Sequence, residues 1–262
     1  MRAAIAQQNL VWEDVGGNLE AARELISQAA EGDADIVVFP ELFSTGVTLS
    51  SAAFAQRPDG SICSYLADAA REHGLMVGGS YIEEAAGGLP YNAYAVYGSD
   101  GKLLCKYHKG HLFSHNGEDT AYSEGEGLSG FEACGLRVFP LICYDLRFPE
   151  LFTAAGKMGA DAFIVAANWP VSRMDHWRAL LKARAIENQA YVIGINCAGE
   201  SPEFRYGGGS TAFGPKGELV GEAGEGPELL MVELDAGELM GYRKGFSVLS
   251  DKRYDYYAGL LR

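Results

Sequence analysis

Apolar and polar positions along this chain fall into alternating strand-like and helix-like stretches. Residues 3–9 read as a strand. Residues 18–30 read as a helix, with Leu19, Ala22, Leu25, Ile26 and Ala29 recurring at helical spacing. Asp35-Ile36-Val37-Val38-Phe39 is then a continuous apolar run, the signature of a strand buried on both faces in a layered α/β fold. It ends in Pro40-Glu41-Leu42-Phe43-Ser44-Thr45-Gly46. The pattern next predicts a helix over 61–73 with Gly74 as its stop, a strand over 75–82, and a hairpin of 92–97 with 102–107 across Gly98-Ser99-Asp100-Gly101.

The second half repeats this order. Residues 161–166 are a buried strand ending in Ala167-Asn168-Trp169-Pro170. A helix is expected over 175–189, with Asp175 as candidate cap, then a strand over 191–196. A hairpin of 210–213 with 218–222 follows across Gly214-Pro215-Lys216-Gly217. We therefore expect an internally duplicated α/β unit folded as one domain, with two sheets face to face and helices outside. Residues 239–262 are charged and aromatic, an arm that packs either on another subunit or on its own domain.

Composition narrows the classes. The chain has 262 residues, 48% of them hydrophobic and 21% charged, which is ordinary for a globular protein. Its net charge of −14 does not suit a nucleic-acid or anionic-membrane binder. Met1 to Gln7 turn polar too early for a signal peptide, and no apolar stretch is long enough for a membrane span. The five cysteines are widely spaced, which suggests reduced thiols and a cytoplasmic setting.

Three places carry candidate chemistry. Glu41 follows a buried strand and Pro40, a position for a catalytic base, for a loop cap or for the partner of an arginine. In Leu141-Ile142-Cys143-Tyr144-Asp145-Leu146-Arg147-Phe148-Pro149-Glu150 an apolar strand delivers one cysteine ahead of a helix that Pro149 can open. That junction favours a thiolate, although a lone cysteine after a strand is ordinarily a small core residue. Lys106-Tyr107-His108-Lys109-Gly110-His111 supplies a lysine, and Glu118, Asp119 and Glu124 follow as loop carboxylates. His108, His111 and His115 would share a helical face and so invite a metal, but the preceding segment reads as strand and Gly110 interrupts it; no metal or cofactor is expected. Gly207-Gly208-Gly209-Ser210-Thr211 lacks the ending of a phosphate loop and reads as a bulged strand entry. There is no GxSxG elbow for a serine hydrolase. A thiol, a carboxylate base, a lysine for the oxyanion and a second carboxylate to hold that lysine would together suffice for amide hydrolysis.

Val38-Phe39-Pro40-Glu41, the Lys106–Phe113 stretch and Cys143-Tyr144-Asp145-Leu146-Arg147-Phe148-Pro149-Glu150 resemble, in order, the three motif regions of the nitrilase superfamily of carbon–nitrogen hydrolases. The resemblance implies a four-layer α-β-β-α sandwich with an internal pseudo-repeat. It also implies a triad of Glu41, Lys109 and Cys143, with Glu118 as accessory carboxylate and the Tyr144 backbone N–H as oxyanion donor. Homodimers or larger homo-oligomers are expected. Asn168-Trp169-Pro170 with Arg173, and the 183–191 stretch, look most like the omega-amidase branch, which acts on 2-oxoglutaramate and 2-oxosuccinamate. Arg173 is then the candidate for the substrate carboxylate, with a surface ion pair to Asp175 or a nearby acid as its alternative, and Phe43 and Trp169 are either pocket walls or core. Gly110 departs from the usual bulkier residue, and 114–117 is a variable stretch. Deaminated-glutathione amidase, N-carbamoyl amidase, nitrilase and a non-catalytic scaffold are the competing readings.

Overall fold

The computed structural model describes residues 1–260. In chain order its strands are β1 Arg2–Gln7, β2 Asn9–Val11, β3 Ile36–Val38, β4 Met76–Glu83, β5 Tyr91–Tyr97, β6 Leu103–His108, β7 Phe131–Ala133, β8 Leu136–Ile142, β9 Ala162–Ala166, β10 Tyr191–Ile195, β11 Ala198–Glu200, β12 Arg205–Gly207, β13 Thr211–Phe213, β14 Leu219–Glu222 and β15 Glu228–Glu233. The α-helices are α1 Val15–Glu31, α2 Ser51–Phe54, α3 Ser61–His73, α4 Pro149–Lys157, α5 Met174–Asn188, α6 Ala236–Gly245 and α7 Tyr254–Leu260. Two six-stranded sheets have the orders β15-β1-β3-β4-β5-β6 and β14-β13-β10-β9-β8-β7, and β12-β11-β2 form a small third sheet.

The duplication expected from the pattern is present in the topology. In the first sheet β1, β3 and β4 run parallel, with α1 and α3 in the crossovers, and β5 and β6 return antiparallel. The second sheet repeats this with β8, β9 and β10, crossovers α4 and α5, and antiparallel β13 and β14. The flanking strands match as well, since β15 and β7 run antiparallel to β1 and β8.

Burial on both faces explains why residues 3–6 of β1 and all of β3 are apolar. Ala3, Ile5, Ile36 and Val38 point into one core together with Tyr94, Val96, Val138 and Leu141. Ala4, Ala6, Val37 and Phe39 point the other way, onto Ala22 and Ile26 of α1 and Leu66 and Ala70 of α3. On the far side Phe152 of α4 and Trp177, Leu181 and Ala185 of α5 are fully buried against the second sheet. The layers therefore run helix, sheet, sheet, helix.

Helix ends follow local chemistry. The Asp14 side chain accepts the Gly17 N–H at the start of α1, and Gly74 stops α3 with a left-handed φ of 69°. Pro149 opens α4 as expected. The expected cap of α5 needs correction: the helix starts at Met174, and Asp175 lies within its first turn, where a carboxylate still suits the dipole.

Residues 239–260 fold back on the second half. Arg243 donates to Asp161 at 2.5 Å and to the Ala160 carbonyl at 2.7 Å, and the Gln189 amide donates to the Phe246 carbonyl at 2.6 Å. Met240, Phe246, Tyr256 and Leu260 remain exposed. The arm's last two positions, 261 and 262, lie outside the described residues. Among the described residues no helix is long and apolar enough to cross a membrane.

Candidate active site

Three strand ends from both halves deliver the candidate side chains to one place. Glu41 follows β3, Lys109 follows β6, and Cys143 follows β8 and opens a 3₁₀ turn, Cys143–Arg147. Leu42 and Cys143 both hold a left-handed φ of 46°, a conformation costing roughly 1 kcal/mol or more for a residue with a Cβ. Such strain turns the chain sharply as it leaves the sheet. Glu41, Lys109, Glu118, Cys143, Tyr144, Trp169 and Arg173 all line one cavity.

Lys109 is the electrostatic centre. Its Nζ donates to Glu41 Oε1 at 2.8 Å and to Glu118 at 2.7 and 2.9 Å. Lys109 and Glu118 are 2% exposed and Glu41 1%, so none of the three charges is matched by bulk water. Burial by itself would strip the lysine of its proton. The charges of Glu118 and Glu41 outweigh that and hold the ammonium well above the usual lysine range. Burial, against the opposing Lys109 charge and with the Glu41 carboxylate adding to it, raises the proton affinity of Glu118. Glu118 also accepts the Phe113 N–H at 2.6 Å, which fixes the loop that carries it.

Glu41 is locked from three sides. Asn92 Nδ2 donates to Oε1 at 2.9 Å, and the Asn168 backbone N–H donates to Oε2 at 3.1 Å. The Asn168 side chain donates to the Glu41 carbonyl at 2.6 Å, while its own oxygen accepts the Cys197 thiol at 2.8 Å.

The Cys143 turn is held from beneath by Asp145, which is fully buried. Its carboxylate accepts the Ile142 N–H at 3.0 Å, the Tyr107 hydroxyl at 2.8 Å and the His111 N–H at 2.9 Å. Asp145 thereby ties the Cys143 turn to the segment bearing Lys109. Arg184 of α5 adds two hydrogen bonds to the Leu146 carbonyl, at 3.1 and 2.8 Å. Tyr144 is the second residue of the turn, where a backbone N–H has no acceptor within the helix.

The resting state of the thiol corrects one expectation. Burial first, then the Glu41 charge, push Cys143 well above the usual thiol range, with Lys109 opposing. The helix that was expected to favour a thiolate begins only at Pro149, so the nearby carboxylate dominates the local field.

Other sequence candidates separate. Phe43 is core, not wall: it is fully buried under the outer helices and stacks on Phe39 at 5.1 Å. Trp169 does both, since it lines the cavity and packs on Trp177 at 5.3 Å. The Arg173 guanidinium lies over Phe113 and Phe204, at 5.1 and 5.8 Å from the ring centres. The three histidines diverge: His108 bonds Glu83, His111 meets Asp145 and Phe148, and His115 tilts against Phe113. Gly110 sits against the Tyr107–Asp145 contact, where a Cβ would come within 3.2 Å of the Tyr107 hydroxyl. Gly208, with φ of 62°, lies between β12 and β13, where a Cβ would meet Gln7 Nε2 at 2.3 Å. Arg147 also lines the cavity.

The family model for carbon-nitrogen hydrolase matches residues 2–244. The chain belongs to the carbon-nitrogen hydrolase family. It is 34% identical over 241 residues to a 2-oxoglutaramate amidase of Bacillus subtilis, covering 92% of this chain and 93% of that one. It is likewise 34% identical over 253 residues to the omega-amidase YafV of Yersinia enterocolitica, covering 96% of each. The amidase from Nesterenkonia sp. AN1, in a structure where acrylamide has added to the active site cysteine, superposes with a TM-score of 0.89 at 28% identity, over 99% of both chains. A carbon-nitrogen hydrolase with this arrangement has a thiol, a fixed carboxylate and a permanently charged lysine around one cavity.

Proposed function

We propose that this hydrolase is an amidase that converts the terminal carboxamide of a small dicarboxylate half-amide, of the 2-oxoglutaramate or 2-oxosuccinamate type, to the acid and ammonia. One observation carries the reading: Lys109 is buried between Glu41 and Glu118 in the cavity that Cys143 lines. The names of the relatives support the substrate class.

The reaction starts with a neutral thiol. Glu41 takes the proton of Cys143 as the sulfur attacks the amide carbon. The developing oxyanion meets the Lys109 ammonium and the Tyr144 N–H, and one such donor contributes about 3 kcal/mol to the transition state. Glu41 passes its proton to the departing nitrogen, which leaves as ammonia and leaves a thioester on Cys143. Glu41 then deprotonates a water that attacks the thioester carbonyl. Collapse expels the sulfur, which recovers its proton, and frees the acid. Glu118 keeps Lys109 charged and in place, and Arg173 binds the free carboxylate of the substrate, for which a guanidinium fork is suited. Trp169 walls the pocket. The working form in this reading is one hydrolase domain per chain, with 239–262 as its arm, in a cytoplasmic homodimer or larger homo-oligomer. The exposed Met240, Phe246, Tyr256 and Leu260 support the oligomer.

Ammonia release across half-amides, deaminated glutathione, N-carbamoyl amino acids and nitriles tests the reading. The highest kcat/KM is expected for 2-oxoglutaramate or 2-oxosuccinamate; a clear preference for any other class would replace it.

A further inference from the structure

Most arginines of this acidic chain are engaged by acids. Among the described residues Arg23, Arg57, Arg71, Arg137, Arg178, Arg184 and Arg243 each pair with a carboxylate. Arg2, Arg147, Arg173, Arg205 and Arg253 have no such pair among the described residues, and of these Arg147 and Arg173 line the catalytic cavity. In a chain with 35 acidic residues against 21 basic ones, this cavity holds two guanidiniums without a carboxylate partner. The two acids that line this cavity, Glu41 and Glu118, are already engaged by Lys109.

Arg147 is also held in a set position. Its guanidinium lies over the Trp169 ring at 4.8 Å and over Tyr144 at 5.9 Å, the geometry of a cation against an aromatic face. Its Nη atoms reach His176 Nδ1 at 3.4 and 3.5 Å, long contacts that occupy one edge of the fork. The stacking fixes the plane and leaves N–H donors without a protein acceptor. Arg173 is fixed in the same manner by Phe113 and Phe204. Each arginine thus spends its face on aromatic rings and keeps in-plane donors for a ligand.

We propose that Arg147 is a specificity-determining residue that forms, with Arg173, a two-guanidinium receptor for the acidic end of the substrate. A carboxylate has about four lone-pair positions and accepts from two arginines at once. The receptor selects amides that carry a free carboxylate over neutral amides of the same length. Its location on the Cys143 turn couples that choice to the nucleophile: the Cys143–Arg147 turn carries both the attacking sulfur and the anion contact. The inference rests on the half-amide reading above and adds a second cation to it.

The test compares kcat/KM for 2-oxoglutaramate and for pentanamide, a neutral amide of equal chain length, in wild type, Arg147→Gln and Arg147→Lys. In Arg147→Gln the preference for the anionic amide is expected to fall about 10- to 100-fold, mainly through KM. Arg147→Lys keeps the charge without the fork, and an intermediate loss is expected. Equal losses on both substrates, or an undiminished preference in Arg147→Gln, would overturn the role of Arg147. If Arg147→Gln does not fold, Arg147→Lys decides: a KM rise confined to the anionic amide supports the proposal, and its absence refutes it. A wild-type enzyme that favours pentanamide would instead refute the half-amide reading.

Discussion

Asn168 donates its backbone N–H to the Glu41 carboxylate at 3.1 Å and its side-chain amide to the Glu41 carbonyl at 2.6 Å. The two residues follow corresponding strands of the duplicated unit, β3 and β9, so the pseudo-twofold places one strand-end loop against the other. The proposed base of one half is held by its counterpart in the other.

Asn168→Ala removes the side-chain donor and leaves the Cys197 thiol without its acceptor. In the proposed mechanism kcat should fall about 10- to 100-fold with little change in KM, as expected when a positioned base loses a hydrogen bond to its support. Steady-state kinetics on 2-oxoglutaramate check this. A raised KM with unchanged kcat would place Asn168 in substrate binding instead.

A second prediction concerns the strand that leads to Lys109. Glu83 on β4 accepts from Lys106 at 2.9 and 3.0 Å, from His108 at 2.9 Å and from the Tyr81 hydroxyl. Burial opposes its ionisation, but the bonds from His108, Lys106 and Tyr81 prevail and lower its pKa to about 2. A carboxylate whose folded pKa is depressed stabilises the fold above its unfolded pKa of about 4.3, and that stabilisation fades as pH falls through the folded value. Glu83→Gln should therefore cost about 1–3 kcal/mol at pH 7 and progressively less from about pH 4 down to pH 2. Urea titrations of both proteins across this range give the difference; a gap that stays constant into acid would contradict the ion-pair account.

The nucleophile's resting state gives a third. With its pKa raised well above the usual thiol range, Cys143 is protonated at neutral pH and its thiolate fraction grows only in alkali. Alkylation by iodoacetamide, followed at the Cys143 peptide to separate it from the exposed Cys134, should keep rising past about pH 8.5, where a free thiol is half ionised. A rate plateau below pH 7 would show a preformed thiolate and remove the need for Glu41 as base in the first step.

Much of the architecture is visible in the chain because burial on two faces writes continuous apolar runs, as in Ile36-Val37-Val38 and Ala162–Ala166. Glu41 and Cys143 stand out as polar residues at the ends of such runs, while their union with Lys109 in one triad is what the resemblance of the three motif regions implies. Glu118 was harder to place in its variable loop, and only its 2.7 Å contact with Lys109 distinguishes it from Asp119 and Glu124. Asn92, Asn168 and Asp145 act through contacts between distant segments, which no local pattern encodes. Phe43 was ambiguous because Leu42, at φ of 46°, breaks the alternation that would have told core from cavity. Arg147 is not singled out by the sequence, because the strained 3₁₀ turn that brings it to the cavity leaves no local pattern.

The central claim is that Cys143 forms the bond to substrate in an enzyme that hydrolyses half-amides. Ammonia release from 2-oxoglutaramate by wild type and by Cys143→Ala, with circular dichroism to show that both are folded, tests it most directly. The account predicts steady release by the wild type and none above the buffer rate from the folded variant; appreciable release by Cys143→Ala would contradict it.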